Sequence, residues 1–431
     1  MRAETAAGPR GPAPTPAGDP LQVRVWPGLS TCGSLLGSGP TTTAPATDSG
    51  QSLDALVAVA EAAGLRGRGG AGFPFAVKLR AVAEQAARTG LAPVVVLNGE
   101  EGEPASAKDR VLMTLAPEVA LDGLRLVGDA LGAHSRYAYV SDATARERIA
   151  AAARTLTPEV QVVAAPPGYV SGEESAVVRW LSGGPAKPTH KPPRPYEEGV
   201  QGRPTLVSNV ETLAQLARLV RGAPEPTLLL TVSTDHGRHA VVEVPGELTL
   251  DDVLGWLGIE PGEVLLGGFF GRFASAATRR HPLRELAARA HPDVLGCGIV
   301  LVLHETCPVT AVAQVLRYLE RENAEQCGPC FKGIPSMAGV VDALTAGTAG
   351  ADDVRKLTGW ATSLRGRGDC GTLDAACGLV TSLAEQRTAT VTRHLEAPCA
   401  WCTDHPARPE ATAFAVPWPA EIHPTDIQED R

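Results

Sequence analysis

The sequence predicts three units in series: an α/β domain over residues 51–222, a β-grasp-like module over 223–303 and a helical bundle of four helices over 304–390. Three observations carry this. Val94-Val95-Val96-Leu97 is a short apolar run of the kind buried on both faces in a parallel sheet, and helix and strand patterns alternate around it. From Leu228 the texture changes to two close strand patterns, a helix pattern at 248–257 and a further apolar run at 264–266. Residues 308–386 then show helical periodicity at 309–320, 335–344, 352–364 and 372–386, joined by short loops.

With 431 residues and 44% hydrophobic content, the chain can bury two or three cores. It carries 39 basic against 48 acidic residues, a net charge of -9, and no Lys/Arg cluster interleaved with aromatics, which speaks against nucleic acid as a partner. The longest apolar run, at 294–303, is interrupted by Gly296 and Gly298 and is too short to span a bilayer, so direct membrane insertion is not expected. No apolar segment follows Arg2, and the chain reads as cytoplasmic. Residues 1–50, rich in Pro, Ala and Gly, read as a disordered extension containing Cys32, and 391–431 as a tail. The nine cysteines are odd in number and several stand at metal-ligand spacing, which suits a reducing compartment and a cluster rather than disulfides.

In the α/β domain a helix begins after Ser52, presents Leu53, Leu56, Val57 and Ala60 on one face, and stops at Gly64. There the chain enters Gly64-Leu65-Arg66-Gly67-Arg68-Gly69-Gly70-Ala71-Gly72-Phe73-Pro74. Glycines permit positive φ and bare N–H groups, and a helix opening near Pro74 adds partial positive charge, so the loop suits a phosphate or a flavin. Lys78 lies in the first turns of that helix, within reach of an anion. Asn98-Gly99-Glu100-Glu101-Gly102-Glu103-Pro104 follows the apolar strand, at the carboxyl end where α/β folds bind ligands, and its carboxylates suit ribose or flavin ring groups. Glu173 and Glu174 stand at the start of another helix, whose dipole favours their ionised form.

The motifs GLRGRGGAGFP, NGEEGEPASAKDR, YVSGEESAV and KPPRPYEEGVQGRPTLVSNVETLA occur in this order. Together they resemble the NADH-oxidising flavoprotein subunit of bacterial respiratory complex I and the related subunits of NAD-linked hydrogenases and formate dehydrogenases, over residues 52–382. The resemblance implies that FMN is held by Gly67, Arg68, Gly69, Gly70, Gly72, Lys78, Asn98, Glu100, Tyr169, Gly172, Glu173, Ser208, Asn209 and Thr212. It also implies that Phe73 and Glu174 face bound NADH, with Glu101 and Glu103 as the carboxylates at the reacting centre. Hydride transfer needs an open flavin face, an aromatic and acceptors for ribose hydroxyls, and no general acid or base. The chain departs from the family at Ser208, which replaces Asn, and at Val200-Gln201-Gly202 and Leu79-Arg80, which lack the usual aromatics. Each missing stacking ring removes roughly 1 kcal/mol of adenine binding. The middle module resembles the soluble-ligand-binding β-grasp (SLBB) domain of the same family.

In an up-down-up-down bundle the first and third loops share an end, which brings Cys327, Cys330 and Cys370 together. The resemblance implies a [4Fe-4S] cluster there, bound by C-x2-C-x2-C and one distant cysteine, and Ala324 occupies the place of the first. Cys377, an oxygen ligand such as Glu325, or an open iron are the candidates for the fourth position, and a zinc site on the same cysteines is the alternative. Cys377 lies about 10 Å along the helix from Cys370 at 1.5 Å per residue, which favours a core position. Cys297 and Cys307 read as core; Cys399 and Cys402 with His405 have zinc-like spacing but form a single pair. The expected function is electron transfer from NADH through FMN to the [4Fe-4S] cluster, and on to a ferredoxin-like partner or an iron-sulfur partner subunit. A ferredoxin-linked reductase and a non-catalytic scaffold are the alternatives.

Overall fold

Strand β1 (Gln22–Val25) opens the ordered architecture of the computed structural model, which describes residues 20–29, 34–36, 51–288, 295–405, 414–419 and 421–429. Helix α1 (Leu53–Ala62) is capped by Ser52, whose hydroxyl accepts from Ala55 N, and α2 (Phe75–Thr89) ends at Gly90 with φ 71°. There follow β2 (Val94–Gly99), α3 (Lys108–Leu115), α4 (Pro117–Leu131), β3 (Ser135–Val140), α5 (Ala143–Leu156), β4 (Val160–Ala164), α6 (Glu174–Leu181), β5 (Thr205–Asn209) and α7 (Val210–Val220). The four strands form a parallel sheet in the order β4-β3-β2-β5. The apolar run of β2 is central and fully buried, as its composition requires. Asn98 and Asn209 are register partners, so the carboxyl ends of β2 and β5 stand side by side. On one face α4 and α7 pack so closely that a Cβ on Gly123 would collide with the Leu213 carbonyl.

The second sheet is mixed. It is built from β6 (Leu228–Thr234), β7 (His239–Val244), α8 (Leu250–Trp256), β8 (Glu263–Leu266), β9 (Arg272–Ala274), α9 (Leu283–Ala287) and β10 (Ile299–Leu303). Its strand order is β11-β1-β7-β6-β10-β8-β9, where β11 (Ile427–Glu429) comes from the far end of the chain. The expected disordered extension and tail are corrected at these points. Strand β1 pairs in parallel with both β7 and β11, and the wholly buried Glu243 of β7 accepts from Ser34 Oγ and from the N–H groups of Leu35 at 2.9 Å and Leu36 at 3.0 Å. A buried carboxylate requires such donors, and they come from a segment too short to show periodicity. Cys32 lies outside the described residues.

The C-terminal region is helical. Helices α10 (Pro308–Arg321), α11 (Gly328–Thr345), α12 (Ala351–Ser363) and α13 (Thr372–Gln386) each pack on the next, and α13 also packs on α10, α11 and β9. Helix α11 begins at Gly328 rather than at 335 and carries Pro335 inside it, where the missing N–H leaves the Phe331 carbonyl without its helical donor. Two more helices, α14 (Thr388–Glu396) and α15 (Ala400–Asp404), continue into the expected tail and bury Val391 and Cys402 against the same core. No helix among the described residues is long and apolar enough to cross a membrane.

Gly123→Ala is expected to lower the melting temperature by several degrees, because overpacking a close helix contact costs typically about 1–3 kcal/mol. Thermal melts of the purified variant check this, and an unchanged midpoint would contradict the backbone contact between α4 and α7.

Candidate functional site

The glycine loop folds on itself through Gly67 N donating to Phe73 O at 2.9 Å and Arg66 Nη1 donating to Gly72 O at 2.9 Å. Gly70 and Gly72 adopt φ of 95° and 57°, which side chains resist. Arg68 N donates to Thr212 Oγ1 at 2.9 Å, and a Cβ on Gly69 would lie 3.4 Å from Asn209 Cβ. The loop therefore sits at the carboxyl end of β5. From β2, Asn98 Nδ2 donates to Gly172 O at 2.8 Å and draws in the 166–175 loop. Gly67–Gly72, Asn98, Glu100, Gly172, Asn209 and Thr212 are thus brought to one rim of the sheet, with Ser208 buried beside Asn209. Phe73 stands on the loop's edge, 49% exposed.

Beneath the loop lies a buried ion cluster. Lys108 Nζ is 2.6 Å from Asp109 and 2.9 Å from Glu211, Asn209 Nδ2 donates to Asp109 at 2.6 Å, and Lys108 is 1% exposed. Burial works against the Lys108 charge, and the surrounding carboxylates of Asp109, Glu211 and Glu101 overcome it. Burial raises the Asp109 carboxyl to about 6 despite Lys108. Arg68 Nε is buried without a hydrogen-bond partner, 3.9 Å from Glu211. An orphaned guanidinium N–H on a glycine loop is a donor set that fits the phosphate of a nucleotide such as FMN. Lys108, Asp109 and Glu211 lie within the NGEEGEPASAKDR and VSNVETLA motifs, but their pairing is not readable there because it depends on α3 meeting α7.

The remaining carboxylates divide by partner. Burial lifts Glu100 to about 7, against hydrogen bonds from Ser141 and the Gly168 backbone. Glu173 caps α6, accepting from Ser175 N at 2.9 Å and Ala176 N at 3.3 Å, and pairs with Lys191. Glu174 pairs with Lys78 at 3.0 Å; burial would raise it, but the lysine holds it below the usual carboxylate range. Lys78 also donates to Val207 O at 2.7 Å. Glu101 accepts from Asp109 N and Arg110 N, each at 3.0 Å, and so caps α3. Glu103 is buried and accepts from Phe269 N at 2.5 Å, and burial pushes it to about 8. The pair expected at the reacting centre is therefore engaged by protein donors, Glu101 within the α/β domain and Glu103 across to the second sheet.

Tyr169 leaves the 166–175 loop toward the cysteines. Its ring stacks on Phe270 at 5.8 Å and meets Tyr318 edge-on at 5.7 Å, its N–H donates to Glu322 at 3.0 Å, and its buried hydroxyl has no partner. Phe270 lies in turn against Gly371, where an added Cβ would be 2.7 Å from the ring. Gly371 follows Cys370. Cys327 caps α11, Cys330 lies in its first turn, and Cys370 precedes α13. Burial first, then the neighbouring Cys327 and Cys370, push the Cys330 thiol up to about 12. Among the described residues, the groups compact enough for a single ion lie elsewhere, at Cys307-His394-Cys399-Cys402 and Asp235-His236-His304. The wider spacing of Cys327, Cys330 and Cys370 fits thiolates bound to different irons of one cluster, and it disfavours a single zinc ion there. The Ala324 carbonyl accepts from Lys187 Nζ at 3.1 Å, Glu325 holds φ 58°, and Cys377 is wholly buried.

The raised Glu103 has a consequence for stability. Its folded value of about 8 lies above the ordinary 4.5, so its contribution to stability is complete below about pH 4.5 and is lost as pH rises through about 8. Glu103→Gln, neutral at every pH, should melt like the parent in mild acid and several degrees above it in alkaline buffer. A parent-variant difference that does not change with pH would contradict the neutral buried carboxyl.

A family profile described as the Nuo51 FMN-binding domain matches residues 60–218, and one described as the NADH-ubiquinone oxidoreductase-F iron-sulfur binding region matches 310–394. The mitochondrial NADH dehydrogenase (ubiquinone) flavoprotein 1 of Dictyostelium discoideum is 28% identical, over 75% of this chain and 75% of its own. The NAD-reducing hydrogenase HoxS subunit alpha of Cupriavidus necator is 27% identical over 71% of this chain and 55% of its own length. A crystal structure of an NAD+-reducing [NiFe]-hydrogenase in the H2-reduced state superposes with a TM-score of 0.74 at 28% identity, covering 84% of this chain and 67% of that one. The two profiles fall in register on the glycine-loop domain and on the cysteine-bearing helices, so the chain is similar, along both of these regions, to NADH-oxidising flavoprotein subunits that carry an FMN domain and an iron-sulfur region.

Proposed function

We propose that this chain oxidises NADH at an FMN held on the rim of the parallel sheet and passes the electrons to a [4Fe-4S] cluster at Cys327, Cys330 and Cys370. The carrying observation is the meeting of the glycine loop with Asn209 and Thr212 on one side and Asn98 with Gly172 on the other, while Tyr169 of the same rim reaches toward Cys370. FMN supplies acceptance of a hydride and return of single electrons, and the cluster takes them one at a time. The protein's part is positioning. Gly67, Arg68, Gly69, Gly70 and Gly72 offer N–H groups and close backbone approach, and Lys78 offers charge. Asn98, Glu100, Tyr169, Gly172, Glu173, Ser208, Asn209 and Thr212 offer the polar contacts. Phe73 is the exposed ring for the nicotinamide side, and Glu174 the acceptor for a ribose hydroxyl once Lys78 turns to phosphate. Glu101 and Glu103 shape this site through α3 and the second sheet.

The middle unit, 223–303, is assigned as a β-grasp-like SLBB module, supported by the β6-β7 hairpin, the crossing helix α8 and the return strand β10 parallel to β6. Helices α10 to α13 are assigned as the four-helix iron-sulfur bundle, supported by their serial packing and the closure of α13 on α10. The partner is a ferredoxin-like or iron-sulfur protein, since the Cys370 end is where electrons would leave. Free thiols at eight cysteines among the described residues suit the cytoplasm.

A ferredoxin-linked reductase is the second reading, favoured by one observation: Leu79 is buried in the core and Arg80 pairs with Glu61, so neither position offers a ring where the family places its aromatics. Anaerobic titration separates the two. NADH should bleach about one FMN per chain and part of the broad iron-sulfur absorbance, with a far weaker response to NADPH. Bleaching by reduced ferredoxin alone would replace NADH as the donor, and a protein without flavin would reduce the chain to a scaffold.

A further inference from the structure

Cys307, His394, Cys399 and Cys402 come from three separate segments, yet their ligand atoms lie within 4.8 Å of one another. We propose that these four residues bind one structural zinc ion, distinct from the cluster at Cys327, Cys330 and Cys370, which clamps α14 and α15 onto the start of α10. His394 Nε2 is 3.5 Å from Cys307 Sγ and 3.4 Å from Cys402 Sγ, and the Cys399 and Cys402 sulfurs are 3.5 Å apart. Tetrahedral zinc with metal-ligand bonds of about 2.0–2.3 Å sets its ligands about 3.4–3.8 Å apart, so these three separations already match edges of such a tetrahedron and the remaining ones lie within 4.8 Å. They are too close together to enclose a cubane.

The surroundings prepare each ligand. His394 Nδ1 lies 2.8 Å from the Thr390 carbonyl, which fixes the proton on Nδ1 and presents the Nε2 lone pair to the cluster. Cys307 sulfur receives the backbone N–H groups of Val309 and Thr310, Cys399 sulfur those of Trp401 and Cys402, and the Thr310 hydroxyl is 3.0 Å from Cys402 Sγ. These donors would offset part of the charge of a metal-bound thiolate, whose ionisation the ion itself would supply, since burial is the larger influence on Cys307 and Cys402. Three thiolates and one imidazole are soft donors that close all four positions, the mark of a structural rather than a catalytic zinc. Binding the ion releases the three thiol protons to solvent. Cys307, His394 and Cys402 are 6%, 1% and 5% exposed, so the ion would sit away from water. The histidine is His394 and not His405, whose ring stacks on Trp401 at 3.9 Å.

Metal content of the full chain tests this without recourse to activity. Protein purified without chelator from zinc-supplemented cells should carry about one zinc per chain by elemental analysis, and the Cys399→Ser/Cys402→Ser double variant should lose it while keeping its iron and flavin. Cobalt(II) exchanged into the parent should give the intense visible d–d bands and thiolate charge-transfer absorption of a tetrahedral site, a readout that stands even if the variant does not fold. A parent with reduced thiols that holds less than about a tenth of an equivalent after dialysis against zinc would overturn the proposal. So would iron in place of zinc at this site, or zinc retained by the double variant.

Discussion

The architecture turns on one close approach. A Cβ on Gly102 would lie 2.7 Å from Gly168 O and 2.9 Å from Tyr169 Cα, so the loop after β2 and the 166–175 loop touch backbone to backbone. Several of the contacts that join the three units lie around it. On one side of it Glu103 reaches Phe269 in the second sheet, and on the other Tyr169 stacks on Phe270 and meets Tyr318 of α10. Tyr318 Oη closes the circuit by donating to Gly102 O at 3.1 Å. A side chain at 102 would push these two loops apart.

Charge is handled in two ways around this boundary. Lys108, Asp109 and Glu211 are buried together and remain paired, an arrangement whose rupture by loss of one partner costs about 3–5 kcal/mol. Burial instead raises the Glu100 and Glu103 carboxyls, to about 7 and about 8, because no cation among the described residues pairs with them and hydrogen bonds from Ser141 and Phe269 offset only part of the burial cost.

What was legible in the sequence was local. The glycine loop and the β2 run follow from pattern over a few residues, and the nearness of Cys370 to Cys327 and Cys330 follows from the order of helices and short loops. What was not legible depended on partners far along the chain. Nothing near Glu101 or Glu103 announces that one caps α3 and the other reaches Phe269. Strands β1 and β11, of four and three residues, form because β7 offers an edge to β1 and β1 in turn offers one to β11. Cys307 reads as core because its companions are His394 and Cys402, the former 87 residues later. Pro335 reads as a helix start because its cost inside α11 is carried by packing on α10, α12 and α13.

Electrons passing from an FMN on the sheet rim to the Cys370 end, as proposed, would run past Tyr169 and Phe270, whose rings stack at 5.8 Å. Anaerobic stopped-flow mixing with limiting NADH follows both chromophores in a single turnover. Flavin absorbance should fall first and iron-sulfur absorbance follow at a rate that slows at least several-fold in Phe270→Ala with cofactor content unchanged. Flavin that bleaches while the iron-sulfur absorbance stays constant would contradict it.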